Sequence, residues 1–193
     1  MRPALMILAA CALAAVVAVG LGQAGGGGDP ADGPSFDLAQ AREQLRGAPP
    51  ELAALHAQSA ELLDGGPRAV ERRLRELRGH PVVINKWASW CGPCRVEFPV
   101  FQRVAARMGR EVAFLGLDGK DNREDAAAFL SEFPLPFPSY VDPREEAARE
   151  LEMAVAYPVT LFLDREGRTA FVHQGQYRSD ADLEADIRRY LLD

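Results

Sequence analysis

The hydrophobic pattern of the chain changes repeatedly between short apolar runs and segments with a helical period. Three of the apolar runs have the length of strands that are buried on both faces, and they cover residues 81–87, 112–117 and 159–163. Amphipathic helices are predicted where apolar residues recur every three or four positions. These helical segments cover residues 67–78, 91–108, 124–133, 144–153 and 180–192.

Two further strands complete the predicted sheet. Residues 58–63 form a candidate edge strand that ends at Asp64-Gly65-Gly66. Residues 169–173 are the hairpin partner of 159–163, across the turn at residues 164–167. Strands and helices therefore alternate until a hairpin and a closing helix end the chain. This order predicts an α/β fold with a mixed central sheet and helices on both faces.

The first 24 residues depart from this globular pattern. Between Pro3 and Gly22 the only ionisable side chain is the thiol of Cys11, and a helix of these 20 residues would span about 30 Å, the thickness of a bilayer core. Positive charge precedes the run at Arg2 and does not return until Arg42. The positive-inside rule therefore predicts a membrane segment that leaves the rest of the chain on the extracytoplasmic side.

Three kinds of processing are compatible with this segment. An uncleaved single-pass anchor is favoured, and cleavage of a signal peptide near Ala24, followed by secretion, is the alternative. Lipid attachment at Cys11 is disfavoured, because little apolar sequence precedes that residue and a strongly apolar run follows it.

The region after the membrane segment begins without apolar periodicity, since Gly, Asp and Pro dominate residues 25–34 as in a flexible tether. Two short helices are predicted next, over 36–46 with Ser35 as N-cap and over 51–56. The predicted regions are then a membrane anchor or signal segment over 1–24, a tether with short helices over 25–57, and a domain over 58–193.

Composition narrows the range of functions. The chain of 193 residues is 48% hydrophobic and 26% charged, which fits a folded body, and its net charge of −6 disfavours nucleic acid as a partner. Apart from Cys11, the cysteines are Cys91 and Cys94. A domain held together by disulfides would carry more pairs at wider spacing, so a single close pair indicates catalysis.

The dithiol Cys91-Gly92-Pro93-Cys94 follows a predicted buried strand and begins a predicted helix. At the helix N-terminus, unpaired N–H groups and the positive end of the dipole would stabilise the Cys91 thiolate, which is the attacking species. Cys94, one turn deeper, could then attack the mixed disulfide and release the product. Pro93 near the helix start stiffens the turn without loss of a hydrogen bond.

A zinc half-site or a permanent structural disulfide is the alternative role for this pair. Zinc needs further ligands, but no second cysteine pair exists, and His56, His80 and His173 lack ligand spacing. The sequence therefore predicts neither a metal nor another cofactor beyond a redox-active Cys91–Cys94 disulfide.

The segment from Val82 to Pro99, centred on Trp90-Cys91-Gly92-Pro93-Cys94, resembles the active-site segment of thioredoxin-like proteins. Glu97 and Pro99 make it more similar to the extracytoplasmic TlpA/ResA-type branch than to cytosolic thioredoxin. Residues 137–142 and 157–167 agree, and the resemblance covers 58–193. It implies a thioredoxin fold, with one strand and one helix in the space where many members carry an extra hairpin.

The resemblance also implies roles for residues away from the dithiol. Pro158 matches a cis-proline that faces the dithiol and leaves the preceding backbone free to pair with an extended substrate, although spacing alone also fits a trans proline at a strand start. Tyr157 would then lie beside the sulfurs and shape substrate choice. Trp90 offers an apolar wall to a docking partner, and Gly92 and Pro93 complete the predicted contact surface.

Glu97 is the candidate proton carrier, because it lies three residues after Cys94 and therefore on the same helix face. From the residues alone, a partly buried carboxylate with a raised pKa and a solvated helix carboxylate are equally compatible. The resemblance favours the first, and Asn85 stands where cytosolic thioredoxin has its buried acid. Lys86 is a departure, since an aromatic residue is usual at its position.

The leading hypothesis is a protein-disulfide reductase that acts on extracytoplasmic proteins. By resemblance, apocytochrome c maturation is a candidate client process, and a membrane electron donor would be required. A disulfide-forming oxidant is the alternative, because the surroundings of the dithiol set its potential. A thiol peroxidase is less favoured, since Ser89-Trp90-Cys91 lacks the Pro and Thr pattern of that class, and nothing beyond the pair supports a Cu(I)-binding module.

Overall fold

Six strands form one mixed sheet in a computed structural model of the protein, which describes residues 36–193. The strands are β1 Leu62–Leu63, β2 Val82–Trp87, β3 Ala113–Gly119, β4 Ser139–Asp142, β5 Val159–Leu163 and β6 Thr169–Gln174. Their spatial order is β1-β4-β3-β2-β5-β6. The neighbouring pairs β1–β4, β4–β3 and β3–β2 are parallel, whereas β5 is antiparallel to both β2 and β6. The predicted mixed sheet is therefore confirmed.

Helices cover both faces of this sheet. They are α1 Leu38–Gln44, α2 Pro50–His56, α3 Gly66–Glu76, α4 Gly92–Met108, α5 Arg123–Glu132, α6 Glu146–Glu150 and α7 Asp180–Ile187, which a π-helical segment, Arg188–Leu192, extends. One apolar cluster joins α4, α5 and α7 to the sheet, and a second cluster joins α2, α3 and α6 to its other face. The α/β architecture agrees with the alternation that the sequence predicts.

The central strand β2 shows how the two clusters divide. All six of its residues are buried, as expected of a strand with helices on both faces. Successive side chains point to opposite faces, so Val83 and Trp87 belong to the cluster with α4, and Val82 and Ile84 to the other. By the same alternation the two polar residues of β2 lie on opposite faces of the sheet.

Several predicted boundaries were wrong. The edge strand β1 has two residues instead of six, because residues 57–60 form a turn in which Ala60 has a φ of 63°. The helix predicted over 144–153 is α6, which is confined to 146–150 between Glu145 and Glu152, both in the left-handed region. The closing helix leaves α-helical geometry after Ile187.

The first short helix begins later than predicted. Its N-cap is Asp37 and not Ser35, because the Asp37 carboxylate accepts hydrogen bonds from the backbone N–H groups of Ala39 (2.8 Å) and Gln40 (3.0 Å). The strand β4 was not predicted from the sequence. It has four residues and pairs with β3 and β1, so its formation depends on partners that are distant in sequence.

The predicted membrane segment, residues 1–24, and the first part of the tether lie outside the described residues. Within 36–193, no helix is long and apolar enough to cross a bilayer. The compact unit that carries the sheet runs from Phe36 to Asp193. It includes α1 and α2, since Leu45, Leu52 and Leu55 are buried.

Candidate active site

Cys91 and Cys94 are joined by a disulfide where β2 leads into α4. Cys91 is the N-cap of α4, and its sulfur accepts a hydrogen bond from the backbone N–H of Cys94 (3.1 Å). The Cys91 sulfur therefore lies at the N-terminus of α4, where the Cys94 N–H and the positive end of the helix dipole stabilise a thiolate once the disulfide is reduced. Cys91 is the more exposed of the two residues, at 3% against 0% for Cys94.

Several residues next to the disulfide in the sequence are exposed. Gly92 and Pro93 occupy the first turn of α4 and are exposed. The Trp90 side chain is 57% exposed, and its indole N–H donates to the carbonyl of Lys120 (2.9 Å). Val96 and Val155 are the other large apolar residues exposed between residues 36 and 193. A partner that docks over Cys91 would therefore meet the apolar side chains of Trp90 and Pro93.

The Tyr157–Pro158 peptide bond is cis. Pro158 directly precedes β5, whose Val159 pairs with Lys86 near the end of β2 that leads to the disulfide. The Tyr157 ring packs against Trp90, with 4.9 Å between ring centroids. The structure thus brings two residues of the predicted docking surface, Trp90 and Tyr157, into contact beside the motif.

Glu97 is fully buried in α4, one turn after Cys94. One carboxylate oxygen accepts from the Asn85 amide (2.7 Å), and the other accepts from the backbone N–H of Tyr177 (3.2 Å). Burial raises the pKa of Glu97 to about 8, although both hydrogen bonds favour the charged form and act against this shift. Glu97 is therefore not a solvated helix residue but a buried acid whose pKa lies well above the ordinary range of a carboxyl group.

Asn85 has a contact that the sequence analysis did not assign. It lies on the β2 face that packs against α4, donates to Glu97, and is 1% exposed. Its own side-chain oxygen has no hydrogen-bond partner within the part of the chain that the structure describes. Asn85 therefore orients the buried acid in this protein.

Lys86 lies on the opposite face of the sheet and is fully buried. Its ammonium nitrogen is 3.1 Å from a carboxylate oxygen of Glu145 and 3.9 Å from the centroid of the Tyr157 ring. Burial lowers the pKa of Lys86, while the contact with Glu145 opposes this shift. Burial alone would raise the pKa of Glu145, but hydrogen bonds from Lys120, Tyr157 and Lys86 outweigh it and lower the pKa to about 2.

Two aspartates near the end of β3 were not predicted from the sequence, and one of them, Asp121, supports the loop before the motif. Asp121 accepts hydrogen bonds from the backbone N–H (2.5 Å) and the hydroxyl (3.0 Å) of Ser89. Burial, with the neighbouring charge of Asp121, raises the pKa of Asp118 to about 8. Among residues 36–193, no group of three or more His, Cys, Asp or Glu side chains is arranged to hold a metal ion.

The residues of this site lie in a region of the chain that is similar to a known protein family. The family model described as the AhpC/TSA family matches residues 55–172, which include the dithiol, Glu97 and Pro158. Thiol:disulfide interchange protein DsbE of Pseudomonas fluorescens biotype C is 37% identical over 94 residues, which are 48% of this chain and 50% of the relative. Thiol-disulfide oxidoreductase ResA of Oceanobacillus iheyensis is 32% identical over 111 residues, 56% of either chain.

A solved structure shows a similar fold. The crystal structure of a putative thiol:disulfide interchange protein DsbE from Chlorobium tepidum has a TM-score of 0.56 at 29% identity, over 61% of this chain and 84% of that one. The first curated relatives extend beyond the matched region, since the chain spans about half their length. The similarity therefore concerns the domain that carries the dithiol.

Proposed function

The chain belongs to the AhpC/TSA family, and we propose that it is a thiol–disulfide oxidoreductase of TlpA/ResA type that reduces disulfides in extracytoplasmic proteins. The observation that carries this proposal is the Cys91–Cys94 disulfide at the start of α4. The printed names of its relatives, a thiol:disulfide interchange protein and a thiol-disulfide oxidoreductase, support the same chemistry.

The reaction transfers two electrons from the dithiol to the client protein. The Cys91 thiolate attacks one client sulfur, which forms a mixed disulfide and releases the other client sulfur as a thiolate. The Cys94 thiolate then attacks the Cys91 sulfur, which re-forms the disulfide and releases the second client thiolate. Each cycle leaves this protein oxidised, so a membrane electron donor is required to restore the dithiol. Apocytochrome c is the proposed client, on the basis of the TlpA/ResA resemblance.

The direction of electron flow is tested by redox titration of the Cys91–Cys94 pair. The motif Cys-Gly-Pro-Cys is that of thioredoxin, whose potential is about −270 mV, so we expect a value in that range. The measurement follows the oxidised fraction of the purified protein in glutathione or dithiothreitol buffers of defined potential. A potential close to about −120 mV would instead identify a protein that forms disulfides.

The location of the domain is a second part of the proposal. The uncharged run between Pro3 and Gly22 supports an anchor with the catalytic domain on the extracytoplasmic side of the cell membrane. Protease added to intact, wall-stripped cells should therefore digest residues 58–193, while a cytoplasmic marker in the same cells stays intact. Protection of the domain would contradict the orientation, and a mature N-terminus just after Ala24 would contradict the tether alone.

A further inference from the structure

Glu145 is the centre of a buried polar cluster on the sheet face opposite Glu97. One of its carboxylate oxygens contacts the Lys86 ammonium (3.1 Å) and accepts a hydrogen bond from the Tyr157 hydroxyl (2.7 Å). The other oxygen is 2.8 Å from the ammonium of Lys120. Lys86 is fully buried and Glu145 is 3% exposed, whereas the Lys120 side chain is 60% exposed. We call these four residues the Glu145 cluster.

The stability of the fold does not explain the buried ion pair in this cluster. Removal of a lysine ammonium and a carboxylate from water carries a desolvation penalty that their attraction often fails to offset, and apolar residues of similar size are frequently as stable. The β2 position of Lys86 is otherwise suited to an apolar side chain, as the buried Val82 and Ile84 on the same face of the strand show. The Lys86–Glu145 pair therefore indicates a role other than stability, such as holding a neighbouring side chain in place.

Tyr157 is the residue that Lys86 and Glu145 hold within this cluster. Its hydroxyl is bound by Glu145, and the ammonium of Lys86 lies over its ring, a cation–π arrangement that is strongest where water is excluded. Gly119 leaves the space that the hydroxyl occupies, because a side-chain carbon at that position would collide with it. Three elements, β2, β3 and the turn before α6, therefore fix the ring of a residue that belongs to a loop.

The fixed ring faces the disulfide region. Tyr157 directly precedes the cis Pro158, and Trp90 packs on its ring next to Cys91. We propose that Lys86 and Glu145 are positioning residues, which hold Tyr157 as part of the surface where an extended polypeptide disulfide docks. This inference rests on the proposed function and specifies its substrate class, since a surface beside the disulfide contributes to the binding of an extended polypeptide and less to that of a small disulfide.

The test is Lys86→Met, which removes the ammonium and keeps an unbranched apolar chain of similar length. With insulin as the polypeptide disulfide, we expect KM to rise about fivefold, as for a residue that contributes to a docking surface, and kcat to change less than twofold. With hydroxyethyl disulfide, a small disulfide, we expect the rate of the parent protein. A residue that only stabilised the fold would change both substrates together.

Lys120→Met is the matched control. It removes the second ammonium that contacts the Glu145 carboxylate. Because Lys86 is the lysine that lies over the Tyr157 ring, we expect Lys120→Met to keep the KM of the parent. Acrylamide quenching of tryptophan emission reports the position of the Tyr157 ring independently. The Tyr157 ring packs on Trp90, which is 57% exposed and open to the quencher, whereas Trp87 is fully buried. Lys86→Met should increase the quenching of Trp90 emission, and Lys120→Met should not.

Several outcomes would overturn the inference. These are an unchanged KM and unchanged quenching in Lys86→Met, or equal effects of the Lys86 and Lys120 variants. If Lys86→Met does not fold, Tyr157→Phe replaces it, since it removes only the hydroxyl bond to Glu145, and an unchanged KM there would also refute the inference. A parent protein that exchanges with neither disulfide would refute the proposed function instead, and the quenching data would still decide whether the cluster positions Tyr157.

Discussion

Cys91→Ser is expected to abolish disulfide exchange, whereas Cys94→Ser is expected to attack clients and remain bound to them as a mixed disulfide. A serine hydroxyl does not ionise near neutral pH, so the first variant lacks its nucleophile, and we expect a loss of more than about 10³-fold. The second variant keeps the sulfur at the helix N-cap but has no thiolate to release the client.

Non-reducing electrophoresis and mass spectrometry of each variant after incubation with an oxidised client would reveal the mixed disulfide. Cys11→Ser is the matched control, because it removes the remaining thiol of the chain while the dithiol stays intact. The assignment of roles depends on the accessibility of Cys91. It fails if Cys94→Ser is labelled by small alkylating agents no faster than Cys91→Ser.

The central part of the fold could be predicted because its signal is local. The strands β2 and β5 are buried throughout and contain short apolar runs, such as Val82-Val83-Ile84, and a hairpin turn links β5 to β6. The strand β4 carries no such signal, since it has four residues and is defined by its pairing with β3 and β1. A strand of this kind can be assigned once its pairing partners in the assembled sheet are known.

The candidate site likewise contains residues that could be predicted from local motifs and contacts that could not. Cys91, Cys94 and Pro158 lie in motifs that can be recognised in the sequence, so their proximity follows from the thioredoxin fold. The partner of Lys86 could not be predicted, because Glu145 is 59 positions away and lies in a turn with a φ of 51°. Likewise, the backbone N–H that binds Glu97 belongs to Tyr177, 80 positions away.

Glu97→Gln is expected to change how stability depends on pH in the oxidised protein. The pKa of Glu97 is about 8 in the folded state, compared with an ordinary value of 4.5. Between these values the folded protein binds more protons than the unfolded chain, so the parent loses stability as pH rises through this window. Glutamine carries no ionisable proton in either state, and the variant should lack that loss. Urea unfolding at a series of pH values measures the difference.

The same substitution should slow thiol exchange near neutral pH by up to about 10²-fold, at the lower end of what general acid–base catalysis contributes. The pKa of the Glu97 carboxyl group, about 8, is close to the ordinary pKa of a thiol. A proton can therefore pass between Glu97 and the Cys94 sulfur with little change in free energy. Glutamine retains the shape and a hydrogen-bonding oxygen, but it cannot take up that proton.

The pH profile separates this role from a change in packing. We expect the exchange rate of the parent to show an inflection near pH 8 that Glu97→Gln lacks, because the carboxyl group changes its protonation state there. Glu132→Gln is the matched control, since that carboxylate lies on α5, pairs with Arg95 and is 59% exposed. If Glu97→Gln exchanged thiols at the parent rate across the whole pH range, the proton of Cys94 would travel through water, and Glu97 would be a buried acid without a catalytic role.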